Sequence, residues 1–181
     1  VLMSAGRRPN INKLNLENAK IQYCENGIEV NDNYQTNISN IYAIGDVLGK
    51  IMLAHVASDQ GIKVVEYILE GKEIKPLGPL PDCVFSFTEI ATTGKTEEQV
   101  KEEGIDYSVG RFAFASNGKA LTMSETEGFI KIISDNKTDK ILGVNIVGPH
   151  ASDLIHEAIV AMTNNLTIED IIHSLHAHPT L

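Results

Sequence analysis

The 181-residue sequence has no closely spaced pair of cysteines: Cys24 and Cys83 stand far apart and match no Cys-x-x-Cys or metal-ligand spacing. That excludes a redox dithiol carried by this stretch of chain and leaves two thiols, buried or on the surface, suited to the reducing cytoplasm. No Gly-x-Gly-x-x-Gly turn is present, so a complete dinucleotide-phosphate cradle is missing as well. No apolar run approaches the roughly twenty residues of a membrane-spanning helix, and the chain does not open on a signal peptide. Basic stretches are absent from a chain of net charge −9. Neither a membrane nor nucleic acid is therefore an expected partner. Without a secretory signal, the Asn-x-Ser/Thr triplets at Asn37, Asn136 and Asn165 read as chance.

What is there fits one complete domain plus part of another, since 43% hydrophobic residues over 181 is ordinary for a globular chain of that size. Gly71 to Pro81, rich in proline and glycine, reads as a linker and divides residues 1–75 from 76–181. In the first part Val1-Leu2-Met3-Ser4-Ala5 suits a buried strand, and Gly6-Arg7-Arg8-Pro9-Asn10 a loop whose arginines can meet phosphate or carboxylate. A polar, turn-rich stretch with a short strand at Gly27–Val30 follows. Ile41-Tyr42-Ala43-Ile44 is β-branched and aromatic enough for a strand, and Asp46 at its carboxyl end can accept from sugar-like hydroxyls. An aspartate in an ordinary strand-to-loop turn is the plainer alternative. A helix is expected from Met52 to Glu70, stopped by Gly71, with Ala57, Gly61, Val64, Val65 and Ile68 on a face that packs on a sheet. His55 at its start is expected to pack or hydrogen-bond rather than catalyse.

Residues 76–181 change character to strands with capped helices. Val84–Phe87, Ile90–Gly94, Tyr107–Ala115, Gly128–Ser134 and Ile141–Val147 are the strand candidates. Thr96-Glu97-Glu98-Gln99 has the form of a capping box, ended by Gly104. Ser152 is expected to cap a helix that turns Leu154, Ile155, Ala158, Ile159 and Met162 inward, and Thr167 with Asp170 to start a last one. The fold class is α+β: an antiparallel sheet with flanking helices, preceded by a partial α/β segment.

The chain closes on His176-Ala177-His178-Pro179-Thr180-Leu181. Proline restricts the backbone of the residue before it, so the His178 imidazole is held by its main chain, and an X-Pro bond is the one common place for a cis peptide. A positioned histidine can take and return protons at neutral pH. On these six residues alone, a helix that stops at a proline and frays into solvent stands ahead of that reading. His173, His176 and His178 have only Glu169 and Asp170 nearby in sequence to complete a metal site, and no metal is expected.

Taken with Thr167 to Leu175, this ending resembles the C-terminal end of the dihydrolipoamide dehydrogenases, in which the histidine before the proline is the catalytic acid-base. The resemblance extends through Gly-Lys-Thr-Glu-Glu-Gln, Glu-Thr-Glu-Gly-Phe-Ile-Lys and Lys-Ile-Leu-Gly-Val-Asn-Ile-Val-Gly-Pro. It implies that 76–181 is an interface or dimerisation domain and 1–75 an incomplete C-terminal part of nicotinamide- and FAD-binding domains. It further implies a catalytic role for His178, a ribityl-hydroxyl contact for Asp46, a backbone contact to flavin O2 for Ala54, and a place near NAD for Ala5, Gly6 and Arg7. Thr88 before Glu89 departs from a proline usual in that family. The partner glutamate of the histidine would lie beyond Leu181. The implied whole enzyme is a homodimeric flavoprotein disulfide oxidoreductase of cell redox homeostasis, with FAD and NAD, serving a lipoyl-bearing protein of a 2-oxoacid dehydrogenase or glycine cleavage complex. Residues 1–181 alone are expected to be catalytically incomplete, to bind FAD weakly or not at all, and still to dimerise. The alternative is a stand-alone dimerisation or binding module without redox activity.

Overall fold

A computed structural model describes residues 1–181, which form two compact units, Val1–Pro76 and Leu77–Leu181. In the first, a two-residue hairpin pairs β1 (Tyr23–Cys24) with β2 (Gly27–Ile28). Its core gathers Ile11, Leu16, Ile28, Ala43 and Leu48. The expected strand at Val1–Ala5 does not form: the segment has no regular structure and is exposed and unpaired. A strand needs a neighbour to take its N–H and C=O groups, and no other segment lies alongside. For the same reason Ile41–Ile44 is reduced to a single bridge between Gln35 and Tyr42, with Ala43 donating to the Tyr34 carbonyl at 2.9 Å.

The helix α1 (Ala54–Glu70) begins two residues later than expected and ends as expected, with Gly71 at φ +68 donating to the Tyr67 carbonyl. Its buried face is Val56, Gln60 and Val64, and it packs on the short 3-10 turn Gly45–Leu48. Packing on a turn is narrower than packing on a sheet, which is why Val65 and Ile68 stay exposed. His55 is exposed and makes no hydrogen bond, contrary to the packing or bonding role expected of it.

The second unit is an antiparallel five-stranded sheet with helices on it. The strands are β3 (Asp82–Val84), β4 (Ile90–Gly94), β5 (Tyr107–Ala113), β6 (Phe129–Asp135) and β7 (Ile141–Val147), in the order β3-β4-β7-β6-β5. Register places Ala91, Ile146 and Ile130 in one row and Val144 beside Ile132 in the next, all on one face by strand alternation. Helix α4 (Ala151–Thr163) covers that face, with Ala151, Ile155, Ala158 and Ala161 turned into the core. Fully burying a side chain such as Ile155 stabilises by roughly 1.5–3 kcal/mol. On the other face Lys131 reaches Glu97 of α2 (Glu97–Glu102) at 3.3 Å.

Local signals explain the helix ends. Thr96 and Gln99 close a capping box on α2, and Thr167 and Asp170 close another on α5 (Ile168–His173). The Asp170 carboxylate is held below its ordinary pKa by the Thr167 N–H and hydroxyl. Helix α3 (Gly118–Met123), absent from the expectation, starts where the Asn117 side chain accepts from the Ala120 N–H. Ser152 is not the cap of α4. His150 occupies that place at φ +56, and Ser152 lies one position inside the helix, with its N–H and hydroxyl both bonded to the Glu89 carboxylate at 3.0 and 2.8 Å. Glu89 thus does for α4 what a capping side chain does, from the residue just before β4.

Candidate functional site

Two constellations carry chemistry, one in each unit. In the first unit Gly45 takes φ +71, and its N–H donates to the Oε1 of buried Gln60 at 2.7 Å. A Cβ on Gly45 would lie 2.9 Å from the Cβ of Ala57, so the turn and α1 touch where only glycine fits. This contact presents Asp46 half-exposed. Arg7 then ties two backbone segments together: one guanidinium nitrogen is ion-paired with Asp46 Oδ2 and the other donates to the Met52 carbonyl at 2.9 Å. Oδ1 is left to accept from a hydroxyl. Ala54 is the exposed first residue of α1, whose N-cap Leu53 supplies no side-chain oxygen. The first N–H groups of α1 are therefore open to an anionic acceptor. Ala5 and Gly6 lie in exposed coil, and nothing local in the sequence joins Arg7 to Asp46 or Gln60 to Gly45.

In the second unit the last six residues touch α4 through His176 and the start of α3 through Thr180. His178 is exposed, its peptide bond to Pro179 is cis, and its ring makes no hydrogen bond. The segment around it is fastened on both sides. Upstream, His176 bonds Glu157 of α4 at 2.7 Å and the Ser174 carbonyl at 2.8 Å. Downstream, Asn117 donates to the Thr180 carbonyl at 3.1 Å, the Thr180 hydroxyl to the Ala177 carbonyl at 2.7 Å, and Leu181 packs on the main core. His173 faces Glu169 instead at 3.2 Å, so the three imidazoles do not converge on a metal site. Glu157 and Asn117 escaped the sequence reading because nothing local marks them as partners of a segment 19 and 63 residues away.

The two cysteines are unpaired, Cys24 exposed and Cys83 half-buried. Burial first, then the charges of Asp82 and Glu89, push the Cys83 thiol up, which keeps it protonated and a poor nucleophile.

Comparison with known proteins decides the family. The profile described as pyridine nucleotide-disulphide oxidoreductase, dimerisation domain, matches residues 80–181. The chain belongs to the pyridine nucleotide-disulphide oxidoreductase family. A second profile of this family matches residues 1–61. Among curated relatives, a mitochondrial dihydrolipoyl dehydrogenase of Pisum sativum is 45% identical across the whole chain, and dihydrolipoyl dehydrogenase 2 of Arabidopsis thaliana is 44% identical. The chain spans 36% of the length of each. A leghemoglobin reductase of Glycine max is equally similar, at 45%. Among solved structures, LpdA of Mycobacterium tuberculosis superposes with a TM-score of 0.88 at 30% identity, covering 99% of this chain and 39% of that one. The flavoprotein disulfide reductase RclA of Escherichia coli gives 0.92 at 28% identity, covering 98% and 42%. The oxidoreductase dimerisation domain thus has the α+β architecture described above, an antiparallel sheet with flanking helices.

Proposed function

We propose that this chain is part of a dihydrolipoyl dehydrogenase, a homodimeric flavoprotein that oxidises dihydrolipoamide to lipoamide with NAD as acceptor. The observation that carries the proposal is the exposed His178, fastened through its neighbours and leaving its own ring free, in a chain about 45% identical throughout to proteins of that name.

His178 acts as the acid-base. Its imidazole takes a proton from one thiol of dihydrolipoamide, since the thiolate is the species that attacks a disulfide sulfur. The dithiol loses two electrons and two protons overall, and NAD takes up a hydride. The redox disulfide that receives the attack comes from sequence outside residues 1–181, because Cys24 and Cys83 are unpaired and Cys83 is held protonated.

The first unit fits the flavin end of FAD. Asp46 offers Oδ1 to a ribityl hydroxyl, and Ala54 offers a backbone N–H at the positive end of α1 to flavin O2, where negative charge gathers on reduction. Bound FAD supplies the two-electron relay between disulfide and nicotinamide. Arg7 steadies Asp46 against the Met52 carbonyl, and Ala5 and Gly6 run beside it as the backbone near NAD. A lipoyl-bearing protein of a 2-oxoacid dehydrogenase or glycine cleavage complex is the proposed partner. The cytoplasm is the proposed compartment, supported by two free thiols, while the mitochondrial location printed for several relatives is theirs.

The test is turnover by the intact flavoprotein that carries this chain. NADH formation with dihydrolipoamide, and little with glutathione, is the expected result; a yellow protein that reduces other disulfides and ignores lipoamide would overturn the substrate. A second reading, a dimerisation module without redox chemistry, draws on the self-contained core and capped helices of 77–181. Flavin-free native protein would favour it.

A further inference from the structure

We infer that His176 is a positioning residue: held as an imidazolium between Glu157 and the Ser174 carbonyl, it clamps the segment that presents His178, and the clamp opens as pH rises. This rests on the reading of His178 as the acid-base.

Both ring nitrogens of His176 face oxygens that can only accept: Nε2 meets Glu157 Oε1 at 2.7 Å and Nδ1 meets the Ser174 carbonyl at 2.8 Å. A neutral imidazole has one N–H and would leave one of these contacts without a proton. The doubly protonated ring satisfies both, and the contact to the carboxylate is charge-assisted. The surroundings agree, since Glu157, by hydrogen bond and by charge, raises the His176 pKa above its ordinary value, with a smaller push from the Ser174 carbonyl. Other charges on the neighbouring helices are engaged elsewhere: His173 with Glu169 and Asp170 with Thr167 on α5, while on α4 His156 faces the Asp153 carbonyl and Asp153 faces His150. Because the folded value lies above the unfolded one, the clamp is fully formed below the unfolded pKa and is lost as pH climbs through the folded one.

Its effect reaches His178 through the one intervening residue, Ala177. Downstream, the Thr180 contacts and Leu181 hold the segment without any titrating group. Opening the upstream end leaves His178 tethered on one side only, and a misplaced base loses rate through orientation.

The experiment uses the intact flavoprotein, with flavin absorbance as the check of folding. Histidine C2 hydrogen–deuterium exchange, read by tandem mass spectrometry, gives the titration of His176 separately from that of His178. In wild type His176 titrates above the ordinary value of about 6.5, and in Glu157→Gln it returns toward it. In turnover, Glu157→Gln and His176→Gln lose severalfold in kcat with little change in KM. His176→Arg, a permanent cation facing the same carboxylate, recovers most of that loss and abolishes the alkaline decline assigned to the clamp. An unchanged His176 titration in Glu157→Gln, or the same alkaline decline in His176→Arg as in wild type, overturns the clamp. Full turnover by His178→Gln sinks instead the acid-base reading, and the exchange titration tells the two failures apart.

Discussion

Replacing Gly45 by alanine separates backbone strain from crowding at the turn that presents Asp46. Gly45 and Gly71 both sit in the left-handed region, at φ +71 and +68, where an L side chain costs about 1–2 kcal/mol. They differ in surroundings. A Cβ on Gly71 meets nothing within 4 Å, whereas one on Gly45 comes within 2.9 Å of the Ala57 Cβ, closer than carbons pack. Crowding of this kind adds about 1–3 kcal/mol, because turn and helix must part. Gly71→Ala is therefore expected to cost about 1–2 kcal/mol in urea unfolding, and Gly45→Ala about 2–5 kcal/mol. Parting the turn from α1 also stretches the 2.7 Å bond from the Gly45 N–H to Gln60 and moves Asp46. Flavin affinity, measured by recovery of free-flavin fluorescence on dilution, falls roughly tenfold or more in Gly45→Ala, equivalent to about 1.4 kcal/mol, and stays near wild type in Gly71→Ala. Equal stability and equal flavin affinity in the two variants would refute the crowding.

Further outcomes follow from the second unit. Ile155→Ala, at a fully buried position of α4, is expected to lower unfolding free energy by about 2–5 kcal/mol, and a loss under 1 kcal/mol would contradict the packing. Glu89 is held below the ordinary glutamate pKa, first by the Ser152 N–H and then by its hydroxyl. Its stabilising contribution is present above the unfolded pKa and is lost as pH falls through the lower folded one. Urea midpoints across the acid range should show that limb in wild type and a flatter one in Glu89→Gln; parallel curves count against the contact. Thr96→Ala removes the N-cap of α2 and should cost about 1 kcal/mol in urea unfolding, and an unchanged midpoint would contradict the capping box.

The second unit was largely legible because its signals are local. Capping boxes at Thr96 and Thr167 and the alternation in Ile141–Val147 are each set within a few residues, as is the stop at Gly71 in the first unit, and the structure places elements there. Helix α3 had such a signal in Asn117 followed by Ala120 and Leu121, and its shortness hid it. The failures are of another kind. Val1–Ala5 has strand composition, but a strand is a property of two segments and this one pairs with none. Ser152 has the composition of a cap, but His150 in the left-handed region moved the helix start two residues earlier and Glu89 took over the capping. For the candidate site, the residues alone left a fraying helix end and an ordinary turn as the plainer readings, and the family resemblance singled out His178 and Asp46. Their supports, Glu157, Asn117, Arg7 and Gln60, are long-range contacts that only folding discloses.

The central claim is that His178 moves the thiol proton. Its most direct measurement is the pH dependence of kcat for dihydrolipoamide oxidation in His178→Gln and wild-type forms of the intact flavoprotein, at equal flavin content. Loss of a positioned acid-base costs about 10²–10⁴-fold. The account predicts a fall of that size with the limb due to the histidine gone, while flavin reduction by NADH, which needs no thiol proton from substrate, continues near the wild-type rate. A His178→Gln protein that oxidises dihydrolipoamide within about threefold of wild type, with the same pH profile, would contradict it.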